Sequence, residues 1–177
     1  MMSRCALAFL ILGVLPGLAR ADVAYDMIQL YGHALKTCLA EARPDSDLVE
    51  CRGKLADDCQ RSEMYGHSTF GTIRCSFAES RVWMDLVNES FEVLRQRADL
   101  ADTDQRRNPY APKLYISRVE SLDTSQEAWR NYRNTQCRFA RLIWGTGRLA
   151  EAEEALCRMQ MAQKRAGELH IFQFKLR

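Results

Sequence analysis

Six cysteines dominate the chemistry open to this chain. Cys38, Cys51, Cys59, Cys75, Cys137 and Cys157 follow an apolar N-terminal leader that holds the seventh, Cys5. Such thiols could be redox nucleophiles, metal ligands or cystines. No CxxC occurs, the gaps are wide, and the three histidines, His33, His67 and His170, are far apart. Zinc sites pair their ligands closely. An even set of six in an exported chain reads instead as a disulfide framework. No metal, no cofactor and no catalytic residue is expected. Motifs for an activated serine, a phosphate loop or an HExxH zinc helix are absent.

The leader is the reason to call the chain exported. Residues 1–4 give a short basic start, 5–15 are almost wholly apolar, and Ala19 and Ala21 set a small-x-small pattern before a cut. The run is too short to span a bilayer. We read 1–21 as a signal peptide cleaved after Ala21, with a buried N-terminal helix as the alternative. The mature protein is then periplasmic or secreted. Cleavage removes Arg4 and Arg20 and no acid, leaving 23 basic and 23 acidic residues. A neutral chain with dispersed charge gives no electrostatic case for nucleic acid or an anionic membrane.

The elements that must position the cysteines are helices. Met27, Leu30, Tyr31, Ala34, Leu35 and Cys38 recur at helical steps and predict a first helix over 22–42, stopped by Pro44. Asp45 or Ser46 then caps a second, in which Leu48, Cys51, Leu55 and Cys59 share a face. Residues 62–69 read as a loop. Ser68 or Thr69 caps a third helix whose stripe is Phe70, Ile73, Phe77, Met84, Val87, Phe91 and Leu94, with polar Ser80 in series. Residues 102–113, with Pro109 and Pro112, form a connector. A fourth helix over 114–144 carries Val119, Leu122, Trp129, Tyr132, Phe139 and Ile143, and Gly145-Thr146-Gly147 breaks it. A fifth covers 149–169, and the tail 170–177 is an extended segment or frays. The fold expected is all-α, an antiparallel bundle of about five helices stapled by three disulfides. It forms one domain over 22–177, with 22–67 a helical hairpin and 68–177 the main part.

Residues equidistant from the turn of an antiparallel hairpin face one another. Cys38 and Cys51 centre at Pro44 and Asp45, Cys59 and Cys75 on His67, and Cys137 and Cys157 on Gly147. Six cysteines allow 15 pairings. Cystine geometry needs Cα atoms within about 7 Å, which selects Cys38–Cys51, Cys59–Cys75 and Cys137–Cys157.

From Leu122 the chain reads Leu122-x3-Gln126-x2-Trp129-x2-Tyr132-Arg133-x3-Cys137, then a glycine break, then Cys157-x7-Arg165-x3-Leu169. Upstream stand Cys51-x-Gly53-x5-Cys59 and Cys75-x3-Glu79-x3-Trp83, followed by Asn88 and Phe91. This resembles the lysozyme inhibitor LprI-like domain family of small exported bacterial proteins, over about 51–169. Met84, Val87, Phe91 and Ala162 depart from the pattern. The resemblance implies an all-α, disulfide-linked periplasmic or secreted domain and a protein partner such as a lysozyme.

Trp129, Tyr132 and Arg133 read as a core tryptophan with two side chains that tie helices together, and Gln126 and Arg165 as members of the same polar network. The alternative is an exposed aromatic–arginine patch. The turn 144–148 is the more attractive binding element, because a cystine would pre-organise it. Trp144, Thr146 and Arg148 are its candidates, with Arg148 or Trp144 entering a carboxylate-lined sugar cleft. His67 offers a pH-sensitive contact or a solvated loop histidine. Asp57-Asp58 and Glu151, Glu153 and Glu154 read as solvated acids near helix N-termini. The function expected is a helical binding protein that occludes a lysozyme cleft, or an accessory envelope protein that offers a helical face to a partner. An undetected hydrolase is the third reading.

Overall fold

The computed structural model describes residues 23–113 and 116–176. The leader and its cleavage point lie outside the described residues. Among the described residues every element is helical: α1 (Val23–Tyr31), α2 (His33–Glu41), a 3-10 turn (Val49–Cys51), α3 (Lys54–Ser62), α4 (Thr69–Arg107), α5 (Arg118–Ile143) and α6 (Arg148–Lys175). None is long and apolar enough to cross a membrane. All three turn-straddling cystines are present, with Cα–Cα distances of 5.6 Å for Cys38–Cys51, 5.7 Å for Cys59–Cys75 and 5.5 Å for Cys137–Cys157. Such bonds persist in oxidising, extracytoplasmic compartments.

The spine is α4, 39 residues and therefore about 58 Å long. Ser68 is its N-cap, and its Oγ accepts a bond from the Gly71 N–H at 3.1 Å. α6 lies along it, and small residues are buried on both helices: Ala150, Ala155, Ala162 and Ala166 on α6, and Ser76, Ala78 and Ala98 on α4. Small side chains let two helix axes approach closely. Arg97 donates to the Gln173 carbonyl at 2.6 Å, and Gln173 Nε2 donates to the Ser90 carbonyl at 3.1 Å. α5 runs antiparallel to α4, in a register set by Arg95–Asp123 at 3.0 Å and Arg118–Asp102 at 2.8 Å.

Several expected boundaries move. The first helix breaks at Gly32 into α1 and α2. The second does not start at Asp45 or Ser46. The chain turns at Leu48, a left-handed residue with φ 62°, and again at Gly53, so α3 begins only at Lys54. Burial of Leu48, and Ser46 Oγ accepting its N–H at 3.0 Å, hold that turn. The expected connector begins as helix: α4 continues to Arg107, and Asp102 is buried. The tail is neither extended nor frayed, because the Gln173 contacts with α4 carry α6 to Lys175. The stripe proposed for α4 is only partly its core face. Val87 and Leu94 are buried, but Phe70 and Phe77 are half exposed, and Trp83 fills the core instead.

Glu79 lies at the centre of the N-terminal layer with no exposed surface. Its carboxylate accepts from the Gly53 N–H at 2.7 Å, the Ala56 N–H at 2.8 Å and the Trp83 indole Nε1 at 2.8 Å. α3 has no side-chain cap of its own. Glu79 therefore caps it from α4, where negative charge also suits the helix dipole. Glu79→Ala is expected to cost about 3 kcal/mol in urea unfolding, because three buried donors lose their acceptor. Glu79→Gln should lose less, since one acceptor oxygen survives.

At the other end, Asp102 Oδ1 accepts from Arg118 and its Oδ2 from the Val119 N–H at 3.2 Å. Burial pushes this carboxyl up, but the bonds from Arg118 and the α5 backbone outweigh it and hold it below the usual carboxylate range. A depressed carboxyl stabilises the fold above its unfolded pKa of about 3.9, and that contribution is lost as pH falls further. Asp102→Asn should be less stable than the parent by about 1–2 kcal/mol at pH 7. Urea midpoints taken from pH 7 down to pH 3 should show the gap closing below about pH 4.

Candidate functional site

The α5–α6 hairpin carries every sequence-predicted binding residue except His67. Its two helices are joined by Cys137–Cys157 and by two carboxylates on Arg141 of α5, Glu151 at 3.5 Å and Glu154. Glu154 Oε2 accepts from Arg141 of α5 at 3.1 Å, and its Oε1 from Arg158 of α6 at 2.7 Å. Burial raises this carboxyl, but the two arginines prevail and hold it below the ordinary range. Glu154 is thus an interior tie rather than the solvated acid expected. Asp58, by contrast, pairs locally with Arg61, and Asp57 sits in the first turn of α3; Glu151, in the first turn of α6, shares Arg141 with Glu154.

Closer to α4 lies a second tie. Gln126 is buried, and its Oε1 accepts from Arg165 Nε at 2.9 Å. Arg165 also reaches Ser125 Oγ at 3.3 Å and Glu168 at 3.1 Å. The Trp129 ring lies 5.1 Å from the Arg133 guanidinium and 5.9 Å from that of Arg165, both within cation–π range. Arg133 in turn reaches Met84 Sδ on α4. Its pKa is lowered, first by burial and then by the like charges of Arg158 and Arg130. The structure thus brings Gln126, Trp129, Arg133 and Arg165 together. Trp129, half-buried beneath two guanidiniums, packs against the edge of the hydrophobic core. One expectation needs correction: Tyr132 ties no helices together, being 58% exposed.

The turn between α5 and α6 is the most apolar exposed segment of the hairpin. Leu142 (62%), Ile143 (64%), Trp144 (53%) and Leu149 (49%) all face solvent, and Phe139 does so one turn below. Gly145 and Gly147 hold φ of 75° and 114°, a backbone that other residues rarely adopt. Thr146 and Arg148 are exposed, and Arg148 has no ion-pair partner among the described residues. The α4–α5 register places Ile143 level with the second and third turns of α4. The loop before α4, with exposed His67, therefore lies at the same end of the bundle.

Leu142 and Leu149 did not figure among the binding candidates of the sequence reading, and Phe139 and Ile143 entered it only as members of the fourth helix's periodic series. Their helical spacing is real, but α5 buries only Gln126 and Cys137 fully. Periodicity says that a helix has an apolar face, not that something covers it. The signal that could have found the tip is its run of Leu142, Ile143 and Trp144 directly before a double-glycine turn. Among the described residues no three His, Cys, Asp or Glu side chains converge as a metal site.

If the Cys137–Cys157 bond pre-organises the tip, replacing both cysteines by alanine should cost about 3 kcal/mol of stability for a loop of this length. Amide exchange at 145–149 should accelerate in the same variant while exchange in α3 stays unchanged.

No curated protein and no solved structure matches the chain. A family model does, and it covers more than half of the sequence. That model, described as Lysozyme inhibitor LprI, matches residues 59–169, a span that holds the α4 spine, α5 and all but the last turns of α6, and the protein belongs to this family.

Proposed function

We propose that the protein works outside the cytoplasm as a binding protein, and that it blocks a lysozyme by seating the α5–α6 tip in the enzyme's cleft. The observation that carries this is the contiguous exposed apolar surface of Leu142, Ile143, Trp144 and Leu149 on a cystine-stapled turn. Contiguous apolar surface of this kind marks an interaction site. A tip held in shape before binding loses little entropy on docking. Trp144 is the aromatic anchor and Thr146 a hydroxyl contact beside it. Arg148, free of intramolecular ion pairs among the described residues, is the group that meets the paired acids of a glycosidase cleft. His67, exposed at the same end, adds a further polar contact. The family description agrees with an inhibitor rather than an enzyme.

A second reading is supported by α5 itself. Tyr132, Phe139 and Ile143 are exposed along one helix, the mark expected of an accessory envelope protein that docks a partner by a helical face. The two readings separate in one experiment. In titrations against lysozymes of several types, Trp144→Ala and Arg148→Glu should each weaken inhibition by about tenfold or more, a hot-spot effect. Tyr110→Ser, at an exposed site off the hairpin, should change nothing. No inhibition and no binding at micromolar protein removes the lysozyme reading. Loss of periplasmic partner capture in Phe139→Ser with Ile143→Ser would then favour the second.

A further inference from the structure

On the flank of the same hairpin, away from the tip, α5 and α6 enclose an open groove of about 570 Å³. One wall is α5, with Trp129, Tyr132 and Gln136; the other is α6, with Gln160, Lys164 and Glu168. Its floor includes Ala140 and the Cys157 end of the cystine, so the helices cannot close over it. From Trp129 to Ala140 the groove is about 16 Å long. A second hollow of about 470 Å³ continues it past Gln160 and Lys164 towards Arg52.

Three features of this groove are not used by the fold. Tyr132 stands in the Trp129-x2-Tyr132-Arg133 motif yet is mostly exposed. Its side chain, like those of Gln136, Gln160 and Lys164, makes no hydrogen bond to another described residue. Donors and acceptors alternate: two amides that do both, a phenol that does both, an ammonium and carboxylates. Finally, no single sign of charge dominates: Lys164 and Glu153 are both on its lining, and Glu168 is engaged by Arg165.

We propose that this groove is a binding site for a neutral, linear oligosaccharide of pyranose units. A sugar hydroxyl both donates and accepts, which is the pattern these side chains present. The apolar face of a pyranose ring stacks on an exposed aromatic such as Tyr132, whose body is apolar and whose tip is polar. A charged ligand would leave one sign uncompensated here. An open channel suits a chain that passes through, whereas a compact ligand needs a deep enclosing pocket. The site does not depend on the tip, so a glycan and a protein partner could be held independently.

The test uses the mature protein with its three cystines intact. Calorimetric titration with chitotetraose and with cellotetraose should detect binding of at least one. Tyr132→Ala and Gln160→Ala, both surface changes, should weaken it by about tenfold or more. Trp144→Ala should leave sugar affinity unchanged while it lowers lysozyme inhibition, which separates this proposal from the tip reading. Absence of binding by either tetrasaccharide at millimolar concentration overturns the proposal. So does parental affinity in Tyr132→Ala, or a groove that takes up an extended peptide probe and neither sugar.

Discussion

A single buried carboxylate sets the N-terminal half of this molecule. α3 has nine residues and begins after a glycine with no capping side chain. A helix of that length does not hold alone in water. Glu79 reaches across from α4 and accepts two of its first N–H groups, while also fixing the Trp83 indole in the core. One turn earlier on α4, Cys75 is bonded to Cys59 of the same short helix. A hydrogen-bonded clamp and a covalent one therefore grip opposite ends of α3. α2 packs against α3, and α1 against both α3 and α4. Tyr31 of α1 donates to Glu63, just past the C-terminus of α3, at 2.7 Å. A buried charge is costly unless its hydrogen bonds are complete. Here they are provided by backbone donors that would themselves be orphaned without it.

The C-terminal half is organised differently. α5 has little apolar contact with the rest and is attached through polar ties: Arg118 to Asp102, Arg95 to Asp123, Arg165 to Gln126, Arg141 to Glu154, and the Cys137–Cys157 cystine. A helix held by such bonds does not need its apolar side chains for stability. Phe139, Leu142 and Ile143 can then remain in water, available to a partner. The cystine is what makes this arrangement tolerable, since it limits the opening of a hairpin whose interior is only partly apolar.

Those two modes of construction explain what the sequence disclosed. The cystine pairs were legible because turn signals at Pro44, His67 and Gly147 each bisect two cysteines, and symmetry about a turn is a local property. Ser68 as a cap and the Gly145–Gly147 break were legible for the same reason. Misread features depend on distant partners. The break at Gly53 is stabilised by Glu79, 26 residues away. The extension of α6 to Lys175 rests on bonds to Ser90 and Arg97. The bulky stripe of α4 spans more than one face: Val87 and Leu94 are buried in the same core as Trp83 and the alanines of α6, while Phe70 and Phe77 stay half exposed. At Gly167 of α6 a Cβ would stand 2.0 Å from the Asp47 carbonyl oxygen. Close approach of that kind leaves no periodic signature in the hydrophobic residues.

The candidate site was half legible for a related reason. That Trp144, Thr146 and Arg148 are exposed was legible because a turn between stapled helices is a surface element whatever surrounds it. Their apolar company was not found, since an uncovered face and a covered one share a single pattern. The separation matters for mechanism. With 25 basic and 23 acidic residues the charges nearly cancel, so long-range steering does little to select a partner. Selection must then come from contact: an apolar tip that gains by leaving water, one arginine able to meet an acid, and a backbone already bent to shape. Such a surface discriminates by fit rather than by charge. The polar ties that hold α5 keep that fit constant, because each of them lies below the tip and none draws on the residues that a partner would cover.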